Sequence, residues 1–298
     1  MQIEKNALIT ICGRPNVGKS TLTNTLVGEK IAIVSSKPQT TRSRITGIVN
    51  RDGCQFVLMD TPGFHRARTK LGDYMVNVVK ESIPDVDLVL LLVEPIANVG
   101  KQEQALLERI KASRCPCILV INKIDTVEKQ ELLAVIAAYS AVYDFDAVVP
   151  ISAQRKDGTE ALLREMARYA KPGPALFPED MDTDQPDRQV CAELVREKLL
   201  RCLDKEIPHG TAVEVTRFTE RDNGIIDLDV TIYCEKASHK GIIIGKNGAM
   251  LKKIGESARR DIERFMGTQV FLQTWVKVKE NWRDSDVLLK NFGYGGER

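Results

Sequence analysis

The chain has 298 residues, a formal charge of +2, 43% hydrophobic residues and 28% charged residues. This length exceeds the usual extent of one hydrophobic core and predicts two domains, and the composition is typical of a globular protein in water. The longest apolar run, from Leu88 to Val93, is far shorter than the roughly 18 residues that span a bilayer, and the N-terminus lacks a secretory signal, so we expect a cytoplasmic protein.

The seven cysteines match neither a disulfide framework nor paired zinc ligands. The only close pair, Cys115 and Cys117, leads into an apolar strand, and the sequence has only three histidines. We therefore expect reduced cysteines that are mostly buried as small hydrophobic residues, with no metal site at this pair.

Residues 1–170 show the pattern of an α/β domain. Short runs rich in Val, Ile and Leu alternate with helical patterns, which favours a mostly parallel sheet with helices on both faces. Asp52-Gly53 separates two strand-like runs and predicts a hairpin, so one antiparallel edge strand would make the sheet mixed. The predicted parallel strands are 7–12, 56–59, 88–93, 117–121 and 148–151.

The remainder divides into a linker, 171–188, and a second domain, 189–298. The segment KPGPALFPEDMDTDQPD holds four prolines and five acids without periodicity, which indicates a stiff linker. Beyond it, a helical pattern precedes a hairpin whose second strand alternates apolar and polar residues. Two helical stretches within 241–266 and a strand at 269–278 complete the order α-β-β-α-α-β.

A phosphate-binding loop directly follows the first strand. The pattern Gly13-x-x-x-x-Gly18-Lys19-Ser20 lets backbone N–H groups surround phosphates at a helix N-terminus. Lys19 would reach the β- and γ-phosphates, and the Ser20 hydroxyl would coordinate Mg²⁺. The loop residues expected to bind the nucleotide are Gly13, Asn16, Val17, Gly18, Lys19, Ser20 and Thr21.

Three further motifs follow predicted strands. In Asp60-Thr61-Pro62-Gly63, Asp60 would reach the metal ion and the Gly63 N–H would sense the γ-phosphate. In Asn122-Lys123-Ile124-Asp125, the carboxylate would accept two hydrogen bonds from guanine, which adenine cannot offer. Ser152-Ala153 would supply a backbone N–H for the guanine O6. The motifs together predict binding of GTP and GDP, with ATP disfavoured.

These motifs resemble those of the translation-factor-like GTPases, and KPQTTR at 37–42 is similar to their switch region. The resemblance implies that Thr41 completes the Mg²⁺ ligands with Ser20 and Asp60, and Thr40 is the alternative. It also implies a catalytic set, which comprises Asn16, Lys19, Thr41, Asp60 and Gly63.

Phe64 follows the DTPG motif, where many GTPases have a glutamine that orients the attacking water. A phenyl ring makes no such hydrogen bond, so we expect slow intrinsic hydrolysis. Asn16 resembles the asparagine that helps several such enzymes to bind K⁺, which makes K⁺ one candidate for the missing stabilisation; Arg42 and an arginine of a partner are the others. His65 is favoured as a surface residue over a catalytic base.

A basic segment surrounds Gly245-Lys246-Asn247-Gly248. Between Lys236 and Arg264, eight bases face three acids, which indicates an anion-binding surface. The loop and the order α-β-β-α-α-β resemble a type II KH domain, whose Gly-x-x-Gly loop admits a nucleic-acid backbone. A solvated helix turn is the alternative. The expected RNA-binding residues are Gly245, Lys246, Asn247, Gly248, Lys252, Lys253 and Arg259.

The chain combines a GTPase domain with these motifs, a proline-broken linker and a KH domain. In this order they resemble the Era family over essentially the whole chain. The resemblance implies an α/β P-loop GTPase domain followed by an α+β type II KH domain. It also implies binding of the 3′ end of 16S ribosomal RNA, a role in assembly of the small (30S) ribosomal subunit, and peripheral association with the inner membrane. We expect a monomer.

Two other functions remain open at this point. A non-catalytic RNA chaperone could use GTP as a structural ligand, and Phe64 is the feature that supports it. A P-loop kinase for a small acceptor would fit the phosphate loop, but it would leave Asn122 to Asp125 and the KH-like half unexplained.

Overall fold

The computed structural model describes residues 2–64, 67 and 69–294, which form two compact units. The first unit contains most of the chain up to Asp184. The second contains the chain from Gln185 onward together with two short earlier segments, Ile33–Thr40 and Ala67–Tyr74. His65 lies outside the described residues.

A mixed, mostly parallel sheet forms the centre of the first unit, as predicted. Its strands are β1 (Lys5–Cys12), β2 (Ile45–Arg51), β3 (Cys54–Asp60), β4 (Leu88–Val93), β5 (Cys117–Ile121), β6 (Ala147–Pro150) and β7 (Lys171–Pro172). The order is β2-β3-β1-β4-β5-β6, and β7 pairs with β1. The predicted hairpin is β2–β3, which places the antiparallel β2 at the edge. Among the described strands of this sheet, β2 and β7 run antiparallel to their neighbours and the other pairs are parallel.

Helices cover both faces of this sheet. Leu90 of β4 belongs to an apolar cluster that includes Leu22 and Leu162, whereas its neighbour Leu91 belongs to a cluster that includes Leu106. Because successive side chains of a strand point to opposite faces, these are two separate cores. The helices up to residue 167 are α1 (Lys19–Val27), α2 (Lys70–Glu81), α3 (Lys101–Ser113), α4 (Lys129–Ser140) and α5 (Thr159–Ala167).

The proline-rich residues 171–184 lie along the sheet of the first unit. The fully buried amide of Gln55 accepts from the Phe177 N–H at 2.9 Å and donates to the Phe177 carbonyl at 2.9 Å. The Asp182 carbonyl accepts from the Ile48 N–H of β2 at 2.9 Å. These hydrogen bonds pair backbone groups of the proline-rich segment with the β2–β3 hairpin and hold the segment against it.

The second unit has the predicted order α-β-β-α-α-β. Its sheet has the order β10-β9-β8, with β10 parallel and β8 antiparallel to β9. A short helix, α9, follows. The elements are α6 (Asp187–Cys202), β8 (Ala212–Glu220), β9 (Ile226–Cys234), α7 (Ala237–Ile244), α8 (Ala249–Met266), β10 (Val270–Val278) and α9 (Asp286–Asn291).

The core of this unit lies between one face of its sheet and the helices α6, α7 and α8. Leu228 and Val230 of β9 are fully buried, and they share an apolar cluster with Leu199 of α6 and with Ile254 and Ile262 of α8. The apolar alternation of β9 therefore marks its inner face, as predicted. No helix among the described residues is both long and apolar enough to span a bilayer.

Candidate functional site

The phosphate loop lies between β1 and α1, where close packing requires glycine. Gly13 has a φ of 152°, and a Cβ atom there would lie 2.3 Å from the Leu92 carbonyl oxygen of β4. The Phe64 N–H donates to the Gly13 carbonyl at 3.1 Å. This bond joins the DTPG loop, residues 60–63, to the phosphate loop at the carboxyl end of the sheet, where α/β folds bind their ligands.

Lys19 is a buried cation at the start of α1. Its ammonium donates to the carbonyls of Gly13 at 3.2 Å and Arg14 at 3.0 Å. Burial lowers the pKa of Lys19, and the carboxylate of Asp60 opposes that effect. Burial likewise raises the pKa of Asp60 to about 6, against the effects of the Lys19 charge and the Ser20 hydrogen bond. Each of the two charges therefore favours the ionised form of the other, in a site shielded from water.

Three oxygen-bearing side chains from separate segments meet beside Lys19. The Ser20 hydroxyl donates to Asp60 Oδ2 at 2.6 Å, and it lies 2.8 Å from the Thr41 hydroxyl. The neighbouring Thr40 hydroxyl instead donates to the Lys37 carbonyl at 2.7 Å. The structure therefore brings Thr41, and not its alternative, to Ser20 and Asp60.

This cluster suits Mg²⁺ that also binds nucleotide phosphates. Mg²⁺ prefers oxygen ligands and usually takes one or two carboxylates, with phosphate and water oxygens in its other positions. Asp60 Oδ1 is buried and has no hydrogen-bond partner among the described residues, which leaves it available to a cation or its water ligand. Among all the residues that the structure describes, no group of three or more His, Cys, Asp or Glu side chains could hold a metal ion.

The side chain of Phe64 is partly buried. Its ring packs against the apolar cluster that covers one face of the sheet, and the Arg109 guanidinium lies 5.5 Å from the ring centroid. Arg42, a sequence candidate for stabilising the transferred phosphate, is also buried. The phenyl ring of Phe64 cannot make the hydrogen bond by which a glutamine orients the attacking water.

Asp125 and Ser152 come together on the loops that follow β5 and β6. The Ser152 hydroxyl donates to Asp125 Oδ1 at 2.7 Å, and the Arg155 guanidinium lies 3.4 Å from Oδ2. The Ser152 hydrogen bond, with help from the charges of Arg155 and Lys123, holds the pKa of Asp125 below its usual range. The carboxylate therefore stays ionised at neutral pH and accepts hydrogen bonds, as guanine recognition requires.

Asn122 and Lys123 connect this base-binding region to the phosphate loop. The Asn122 amide donates to the Val17 carbonyl at 2.8 Å and accepts from the Ala153 N–H at 3.0 Å. The Lys123 ammonium donates to the Asn16 carbonyl at 2.7 Å. The motif thus connects the phosphate loop to the loop after β6. Its Asn122 accepts a hydrogen bond from Ala153, one of the two residues that the sequence suggested for binding the guanine O6.

Sequence reasoning missed Glu94, which supports this connection. Its carboxylate pairs with Lys123 at 2.5 Å and lies 3.9 Å from Arg14 of the phosphate loop. Glu94 directly follows β4, so its place at the carboxyl edge of the sheet was the signal that could have revealed it.

The Gly-Lys-Asn-Gly loop, residues 245–248, forms a sharp exposed turn between α7 and α8. Gly245 has a φ of 71°, and a Cβ atom there would lie 2.7 Å from the Met250 side chain. Lys246 and Asn247 are exposed at its tip. The sequence-predicted RNA residues of α8 are also exposed, namely Lys252, Lys253 and Arg259. The loop and α8 therefore present several basic side chains to solvent, with Glu256 and Glu263 among them.

Family models match both units. A model described as "50S ribosome-binding GTPase" matches residues 8–123, and a model described as "KH domain" matches residues 206–283. The GTPase Era of Ruminiclostridium cellulolyticum is 53% identical over 290 residues, which cover 97% of this chain and 97% of that protein. The GTPase Era of Clostridium perfringens strain 13 is 50% identical, with 97% and 98% covered.

Two solved structures are similar over almost the full length. A variant of Aquifex aeolicus Era bound to GDP·AlF4⁻ has a TM-score of 0.94 and 35% identity. Era in complex with MgGDPNP and nucleotides 1506–1542 of 16S ribosomal RNA has a TM-score of 0.95 and 35% identity. Each comparison covers 98% of this chain and all of the other, so the likeness includes both units.

We expect Asp125→Asn to shift base preference from guanine toward xanthine by about tenfold or more. An amide donates where the carboxylate accepts, and the C2 oxygen of xanthine accepts a hydrogen bond. The asparagine keeps an oxygen for the Ser152 hydroxyl, so the loop keeps that contact. Competition binding of GTP and XTP measures the shift, with the exposed Asp157→Asn as the matched control. An unchanged preference for GTP would remove Asp125 from base recognition.

Proposed function

The chain belongs to the Era family of GTPases, and we propose that it uses GTP hydrolysis to control binding of 16S ribosomal RNA by its KH domain during assembly of the small ribosomal subunit. The observation that carries the proposal is the convergence of Ser20, Asp60 and Thr41 beside the buried Lys19, in a chain that also presents the basic Gly-x-x-Gly loop. The similar Era structure bound to MgGDPNP and 16S ribosomal RNA supports both halves.

The proposed roles follow from where each group lies. Lys19 neutralises charge on the β- and γ-phosphates, and the backbone N–H of Gly63 contacts the γ-phosphate. Ser20, Asp60 and Thr41 would supply oxygens for Mg²⁺, which would offset the negative charge of the phosphates. Only GTP has a γ-phosphate, so the contacts of Thr41 and Gly63 distinguish GTP from GDP.

Stabilisation of the transferred phosphate needs a group other than Phe64, whose ring lies in the apolar cluster. We propose a K⁺ ion bound with the help of Asn16. Asn16 adopts a φ of 66° in the phosphate loop, and Lys123 holds its carbonyl, so its backbone is fixed at the edge of the site. A cation there would offset the charge that develops during phosphoryl transfer.

We expect GTP turnover to be about tenfold or more faster in K⁺ than in Na⁺. Asn16→Ala and Asn16→Gly should both abolish this difference while GDP binding survives. The glycine variant is the matched control for the backbone, because glycine adopts a positive φ freely. Phosphate release at equal rates in both salts would contradict the K⁺ role, and the absence of any phosphate release would contradict the proposed function.

We expect the double variant Lys246→Asp, Asn247→Asp to weaken RNA binding tenfold or more at low salt. New negative charges repel the phosphates, and the salt dependence should become shallower because fewer counterions are released. An exposed turn should tolerate the change within about 0.5 kcal/mol of unfolding free energy.

The matched control is Lys205→Asp, Asn223→Asp, which makes the same charge change at exposed positions of the second unit outside α7 and α8. Titrating 16S 3′-end RNA at several salt concentrations measures affinity and slope together. Unaltered affinity and slope in a folded loop variant would mean that the loop is only a helix turn.

A further inference from the structure

The segment Ile33–Thr40, here termed the switch segment, is folded into the second unit although it directly precedes Thr41. The side chain of Ile33 is 1% exposed and belongs to the apolar cluster that contains Leu194 and Leu199 of α6. The first residue of the switch segment is therefore part of the apolar core of the second unit.

Charged side chains of α6 hold both ends of the switch segment. At its start, the Val34 N–H donates to Glu197 Oε1 at 3.0 Å, and the Val34 carbonyl accepts from Arg201 at 3.1 Å. At its end, the Arg196 guanidinium donates to the Thr40 carbonyl. Thr41 is the next residue, so the position of the Thr40 carbonyl restricts where the Thr41 hydroxyl can lie.

These α6 side chains are buried, which is unusual for consecutive charges. Arg196 and Glu197 are fully buried and Lys198 is 3% exposed. Buried charges lose hydration and are retained only when other charges compensate them, so such a cluster is weak evidence for stability. Arg196 Nη1 is even buried without a hydrogen-bond partner in the part of the chain that the structure describes. Apolar side chains would serve this core better, which points to a role beyond folding.

The cluster continues from the switch segment to α8. Glu197 Oε2 accepts from the Lys198 ammonium at 2.7 Å, and Lys198 also donates to Asp261 of α8. Asp261 in turn lies 3.6 Å from Arg264. Because α8 begins at the Gly-x-x-Gly loop, one chain of paired charges connects the backbone of Val34 to the helix proposed to bind RNA.

We propose that the buried ion cluster of Glu197, Lys198 and Asp261, together with the neighbouring ion pair of Arg196 and Glu193, positions the switch segment and couples Mg²⁺·GTP binding at Thr41 to RNA binding at α8. This inference rests on the proposed function. GTP and GDP differ in their contacts with Thr41, and a ligand shifts an equilibrium only through such differential contacts. A packed cluster of paired charges has few alternative arrangements, so a change at one end alters the pairing at the other.

The test is the ratio of RNA affinities in the two nucleotide states. RNA of the 16S 3′ end is titrated into the full chain loaded with Mg²⁺·GDPNP or with Mg²⁺·GDP. For the wild-type protein we expect the two affinities to differ within the usual allosteric range of about 5–150-fold. Reciprocity requires the RNA to change the ratio of GDPNP to GDP affinity by the same factor, which provides an internal check.

The main variant is Glu197→Gln, Lys198→Met, which removes one charge of each sign while glutamine can still accept from the Val34 N–H. We expect the ratio to fall to within about twofold of one, with GDP affinity retained. Should this variant fail to fold, Arg201→Ala serves instead, because Arg201 is largely exposed and contacts both Val34 and Glu197. We expect it to lower the ratio as well. Arg188→Ala, at an exposed position of the same helix, should leave the ratio unchanged.

A wild-type ratio in folded Arg201→Ala, or in the folded double variant, would overturn the inference and leave the proposed function standing. Equal RNA affinity of the wild-type protein in both nucleotide states would also overturn it. Failure of the wild-type protein to bind the RNA in either state would instead contradict the proposed function itself.

Discussion

The hydrogen bonds that gather Ser20, Asp60 and Thr41 are the interaction on which the rest of the site depends. They join the start of α1, the end of β3 and the residue after the switch segment, with distances of 2.6 and 2.8 Å. The charge of Lys19 favours the ionised form of the buried Asp60 carboxylate. Its Oδ1 atom has no hydrogen-bond partner among the described residues, which leaves this oxygen available to a cation. Each oxygen comes from a different segment, so movement of any one segment would change the proposed metal site.

The base-binding side of the site is organised by the same kind of bridge. Asn122 bonds to the phosphate loop and to the loop after β6, and Lys123 bonds to the phosphate loop through Asn16. These contacts join the loop of Asp125 to the phosphate loop within the protein itself. The groups proposed to recognise guanine and phosphate therefore lie on one connected set of loops at the carboxyl edge of the sheet.

Local pattern was sufficient to predict the order of the elements and the motifs. A continuous apolar run indicated β4, an apolar–polar alternation indicated β9, and glycine spacing indicated the loops at Gly13 and Gly245, because burial and backbone conformation act locally. The family resemblance favoured Thr41 over Thr40, but local pattern alone does not distinguish two adjacent threonines, which differ in where the folded backbone points them. The charges of Arg196 and Glu197 were equally hidden, because a charged run in a helix normally indicates a solvated face.

The Mg²⁺ dependence of GDPNP affinity tests the central claim most directly, compared between Thr41→Ala and Thr40→Ala with GDP as the reference ligand. The account predicts that Thr41→Ala weakens Mg²⁺-dependent GDPNP binding by about tenfold and leaves GDP binding unchanged, because only GTP-like nucleotides engage that hydroxyl. It predicts wild-type behaviour for Thr40→Ala, whose hydroxyl bonds to the Lys37 carbonyl. Equal GDPNP binding by Thr41→Ala and the wild-type protein, or a selective loss in Thr40→Ala, would contradict the account.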